Sequence, residues 1–123
     1  MNAQNPGLGR LVGITIDCAD PATLADFYRD LSGWDVSHAD DDVVVLGDGP
    51  IRLGLQRVAN HRRPDWPGPD KQLHLDFAVS DLDAAEQRLL ALGATKPEFQ
   101  PGSDRWRVYQ DPSGHPFCLS TLR

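Results

Sequence analysis

A strand-to-helix signature occurs twice in this chain of 123 residues, about sixty positions apart. The first copy is Gly13-Ile14-Thr15-Ile16-Asp17-Cys18-Ala19-Asp20-Pro21, followed by an apolar-periodic stretch closing at Leu31-Ser32-Gly33. The second is His74-Leu75-Asp76-Phe77-Ala78-Val79-Ser80-Asp81-Leu82, followed by a similar stretch closing at Leu92-Gly93. In both, a strand runs into an Asp suited to cap a helix, and a Gly stops that helix. A repeat of half the chain length predicts a duplicated unit, and a pair of such units makes a cleft.

Alternation and spacing fill in each unit. Leu11 to Cys18 reads as a strand, with Val12, Ile14, Ile16 and Cys18 on one face and Gly13, Thr15 and Asp17 on the other. Leu24, Phe27, Tyr28 and Leu31 give the helix an apolar stripe. Strands follow over Trp34 to Ser37, Val43 to Leu46 and Ile51 to Val58, the last placing Arg52, Gly54 and Gln56 on its polar face. The second unit restarts at Gln72. It continues through a helix with Ala85, Leu89 and Leu92 inward, then strands over Ala94 to Phe99, Arg105 to Gln110 and Pro116 to Thr121. Each unit is thus strand, helix, strand, strand, strand. Asp40 to Asp42 and Asp111-Pro112-Ser113-Gly114 are turns. Between the units, Ala59 to Lys71 carries Pro64, Pro67, Gly68 and Pro69 and reads as a stiff surface connection. Trp66 within it is expected to plug the apolar surface, with a lid over a pocket as the alternative. Trp34 and Trp106 are expected to pack in the core or an interface. Arg105, Arg107 and Tyr109 share the other face of Trp106's strand and are placed toward the cavity.

Composition closes several routes. The formal net charge is −6, against the basic face a nucleic-acid surface needs. Arg62-Arg63 is read as solvated loop charge. No run reaches the length of a membrane span, and residues 1–9 are polar, without a secretory apolar stretch, and read as a flexible N-terminus. Two cysteines without an export signal fit a reducing, cytoplasmic setting, and Cys18 and Cys118 are not expected to pair. His38, His61 and His115 fall in loops, where solvation is the default.

The doubled βαβββ order, Phe27-Tyr28 in the first helix, the run Asp81-Leu82-Asp83-Ala84-Ala85, Leu92-Gly93-Ala94, and Asp111-Pro112-Ser113-Gly114-His115-Pro116-Phe117-Cys118-Leu119 together resemble the vicinal oxygen chelate superfamily. This is the glyoxalase, bleomycin-resistance and dioxygenase group. The resemblance implies an α+β fold, with two tandem βαβββ modules forming half-open curved sheets around a cavity. It implies one domain over 10–123, with module 1 at about 10–58, a linker at about 59–71 and module 2 at about 72–122.

The resemblance also implies four metal-ligand positions on the first and last strands of the two units. They fall on Gly13, near Gly54, on His74 and on Cys118. Two of these are glycines, which cannot coordinate by side chain. The expectation is therefore no resident cofactor. The alternative is a divalent ion (Mn, Fe, Ni or Zn) on a set rebuilt from His74, Cys118 and neighbours such as Asp76, Asp17 or Gln56. Thr15, Asp17, Gln56, His74, Asp76, Arg107, Tyr109 and Cys118 are the candidate cavity residues. His74 with Asp76 is the candidate acid–base pair, and a Cys118–His74 pair is a further arrangement. The reading is a homodimeric protein that binds or sequesters a small metabolite or antibiotic. The alternative is a lyase, isomerase or dioxygenase using the rebuilt site or the His74–Asp76 pair.

Overall fold

The computed structural model describes Gly7 and residues 10–68, 74–102 and 104–121. The expected flexible N-terminus (Gly7 apart), the linker end at 69–71, the start of the second unit at Gln72 and Leu73, Ser103 and residues 122–123 lie outside the described residues. The first unit runs β1 (Gly13–Cys18), α1 (Pro21–Ser32), β2 (Val36–Ala39), β3 (Val43–Leu46) and β4 (Arg52–Arg57). The second runs β5 (Leu75–Ala78), α2 (Leu82–Ala91), β6 (Trp106–Gln110) and β7 (Pro116–Ser120). Among these residues no helix is long and apolar enough to cross a membrane.

The helix ends follow from the capping residues. Asp20 accepts from the Thr23 N–H and the Thr23 hydroxyl, which lowers its pKa, with the hydroxyl bond as the main cause. Pro21 takes the first helical position, where a missing N–H costs nothing. Gly33 ends α1 at φ 77°, a conformation that side chains disfavour, and its N–H bonds the Arg29 carbonyl at 2.8 Å. Asp81 caps α2 through the Ala84 N–H.

Four strands pair in the order β1-β4-β3-β2 and three in the order β5-β7-β6. β1 and β4 are parallel, as are β5 and β7, so each helix is the crossover that returns the chain to its sheet. The expected strand over Ala94 to Phe99 is absent; only Thr95 bridges to Gln110. Pro97 within this segment and Pro101 just beyond it donate no backbone bonds. The Gln100 side chain takes the strand's place: its Oε1 accepts from the Val108 N–H, and its Nε2 donates to the Val108 carbonyl.

Both sheets turn their apolar faces into one core. Ile16, Cys18, Leu53 and Leu55 enter it from the first sheet, and Tyr109, Phe117 and Leu119 from the second. α1 joins the two. Tyr28 stacks on Phe77 at 6.4 Å, and Phe27 meets Phe117 edge-on at 5.8 Å. The opposite face of each sheet therefore lies outside the core. Trp34, expected in the core, is exposed over the hollow beside Gly47, because β2 begins two residues later than the pattern suggested and forms an edge with no buried residue.

Candidate metal and small-molecule site

Alternation on three strands sets the site. On β7, Phe117 and Leu119 face the core, so Pro116, Cys118 and Ser120 face outward. Asp76 is the parallel partner of Cys118 on β5, and His74 precedes it by two residues on the same face. Val108 and Trp106 on β6 pair with Cys118 and Ser120. The result is an open pocket of about 580 Å³, with Trp66 of the linker as a further wall. A second hollow of about 710 Å³ lies beside Trp34 and Ile51. It is larger, but its described lining offers only Asp35 and Asp48 as titratable groups, so the chemistry points to the pocket on the second sheet.

His74, Asp76 and Cys118 each offer one donor atom, and these three atoms lie within 4.8 Å of one another. His74 Nε2 stands 3.3 Å from Asp76 Oδ1. Cys118 is buried, and the Asp76 carboxylate opens to solvent. An imidazole, a carboxylate and a thiol are a donor set that suits a divalent transition metal. Three protein donors with one side open is also the number a catalytic metal centre keeps. The residues therefore fit the ion that the resemblance implies.

The remaining candidates are placed elsewhere. Thr15, Asp17 and Gln56 share the outer face of the first sheet with Gly13 and Gly54, and none of them lines the pocket on the second. A Cβ on Gly54 would stand 3.2 Å from Thr15 Oγ1, so Thr15 takes the space a ligand residue there would need. Arg107 and Tyr109, expected in the cavity, point the other way, onto α2. Arg107 Nη2 donates to Asp83 Oδ1 at 2.8 Å, and the Tyr109 hydroxyl donates to Glu86 Oε1 at 2.7 Å. Burial, then the Glu86 carboxylate, raises the Tyr109 pKa; the Tyr109 hydroxyl is the main cause holding Glu86 low. The hairpin register fixes this: Tyr109 pairs with core-facing Phe117, and Arg107 with core-facing Leu119. The cysteines stay apart. Cys18 faces the core, where burial pushes its thiol up to about 11, and no disulfide forms.

Three features extend the expected site. Trp66 and Trp106 line the pocket, so Trp66 follows the pocket alternative and not the surface plug, and Trp106 leaves the expected core or interface packing. Asp111, read only as a turn residue, is fully buried. It accepts from the Tyr28 hydroxyl at 2.6 Å, the Ser113 N–H at 2.8 Å and His115 Nδ1 at 3.0 Å. His61 and Arg63, read as solvated, strap the linker to this turn by donating to the Ser113 and Pro112 carbonyls. Trp66 follows Arg63 by three residues and reaches the pocket from that anchor.

The profile of the glyoxalase-like domain family matches residues 13–120. The chain belongs to this family. The match accords with the resemblance to the vicinal oxygen chelate superfamily. Its fold is similar to that of a possible glyoxalase from Bacillus cereus (18% identity, TM-score 0.69, covering 93% of this chain and 99% of that one). It is also similar to the fosfomycin resistance protein FosX from Mesorhizobium loti (18%, 0.68, 98% and 94%). A third is lactoylglutathione lyase from Agrobacterium tumefaciens (21%, 0.63, 94% and 95%). At these identities the likeness is one of fold. No curated protein matches the chain in sequence.

Proposed function

We propose that this glyoxalase-like protein binds a small oxygen-bearing molecule at a divalent-metal site rebuilt within its second unit. The convergence of His74, Asp76 and Cys118 on one pocket carries the reading. These three residues would hold the ion, and the thiolate and imidazole favour zinc, or iron or nickel, over harder ions. Such an ion supplies Lewis acidity toward two neighbouring oxygens of a ligand. The protein's own part is to present the ligand: the tryptophan walls exclude water from one side. Binding or sequestering a metabolite or antibiotic in the cytoplasm is the function this supports.

The shared core supports treating residues 10–123 as one domain of two repeats. It also supports a homodimer, because the outer faces of the two sheets lie outside that core. A second copy could set Thr15, Asp17 and Gln56 over the partner's pocket. Exposed Leu11, Val12, Val36 and Ile51 on the first unit are apolar surface suited to such an interface.

A second reading rests on the 3.3 Å contact of His74 with Asp76. In it, His74 is a base oriented by a carboxylate, and the protein is a lyase or isomerase that needs no metal. Elemental analysis of protein purified without chelator or tag metal separates the two. An ion lost in His74→Ala supports the metal site. Absence of metal, with turnover lost but ligand affinity retained in His74→Ala, supports the acid–base pair.

A further inference from the structure

We infer that the pocket is a slot for a flat, uncharged aromatic ligand, gripped by Trp66 and Trp106. The inference deepens the proposed function by naming the body of the ligand that the His74, Asp76 and Cys118 cluster would meet. The apolar wall is built and held. A Cβ at Gly102 would lie 2.5 Å from the Trp106 ring, so the indole lies directly on a backbone with no side chain. Trp66 is backed by Phe99, their ring centroids 5.8 Å apart. Pro101, Val108 and Pro116 complete the apolar lining. A volume of about 580 Å³ accommodates a fused two-ring or three-ring system. Aromatic walls favour a planar partner over an equally apolar saturated one, through stacking and edge contacts.

Charge excludes anions. Among the described lining residues none is Lys or Arg. Arg107, on the neighbouring strand position, faces away and is engaged by Asp83 and Glu86. Asp76 brings a negative charge to the pocket. In the metal-free pocket a phosphate, phosphonate or carboxylate group on the ligand would be desolvated without compensation.

The test is titration by intrinsic fluorescence or calorimetry with three matched probes: 2-naphthol, 2-naphthoate and decahydro-2-naphthol. It is run on chelator-treated and on zinc-loaded protein. On the chelator-treated protein 2-naphthol should bind, with the anionic and the saturated probes at least about tenfold weaker. Trp66→Ala, on the linker, and Trp106→Leu, on β6, should each weaken 2-naphthol by about five- to tenfold. A probe with one oxygen needs no chelation, so binding to metal-free protein tests the slot alone. If the protein holds no metal but 2-naphthol binds through both tryptophans, the slot stands and the metal site falls. On the chelator-treated protein, naphthoate binding as tightly as naphthol, or affinity unchanged in both variants, would overturn the slot, as would no naphthol binding to either form.

Discussion

The Asp111 carboxyl sits where there is no solvent exposure, and four donors meet it, from Tyr28, Ser113 and His115. A buried carboxylate is tolerated only when so paired, and removing one donor leaves the penalty of the charge behind. Tyr28→Phe should therefore cost about 1–3 kcal/mol, seen as a lower urea midpoint with an unchanged slope. Burial, then the Asp111 charge, raises the Tyr28 pKa, so the phenol stays a donor throughout the working range. Glu86 behaves differently, because it titrates. The Tyr109 hydroxyl, then Lys96 and Arg107, hold its pKa below the ordinary 4.5. A carboxyl lowered in the folded state contributes stability above its unfolded pKa and loses it as pH falls through the folded value. Between about pH 6 and about pH 3 the wild type should lose more stability than Glu86→Gln, measured by urea unfolding at each pH.

The helices, the first sheet and both parallel crossovers follow from caps and alternation, which are local signals. The second strand of the second unit, expected over Ala94 to Phe99, does not form, because a side chain replaces it. Gln100 satisfies both backbone groups of Val108, and nothing in an apolar-periodicity reading marks a glutamine for that task. Gln100→Ala should strand those groups and cost about 1–3 kcal/mol, with slowed hydrogen exchange lost at Val108. Arg107 and Tyr109 were misplaced for a similar reason. Their face is set by the register across the Asp111–Gly114 turn, where Gln110 pairs with Pro116. Counting outward from that pair puts Tyr109 opposite Phe117, so the correct face was present in the sequence, and Asp83 and Glu86 on α2 mark where the arginine goes. The roles of Trp66 and Gly102 had no such local signal, because contacts across the fold define them. Gly102→Ala would drive a methyl into the Trp106 ring; destabilisation of about 1–3 kcal/mol and a shifted tryptophan emission are expected.

Across the whole molecule, one core serves both units while their outer faces stand apart, so the four family ligand positions do not converge within one chain. Sedimentation or light scattering should give twice the 13.5 kDa chain mass. Gln56→Trp, remote from the pocket of its own chain, should weaken ligand binding in the dimer and leave metal content unchanged. His74 and Cys118 were legible as survivors of the ligand pattern. Asp76 as the third donor became a firm candidate only when the strand register set it beside Cys118. The most direct test is the metal content of untagged protein, purified without chelator, in wild type and His74→Ala. A site built from His74, Asp76 and Cys118 should hold close to one transition-metal ion per chain in the wild type and lose that ion in the variant. A wild type that stays metal-free after soaking in zinc, iron or nickel, or a variant that keeps its ion, would contradict it.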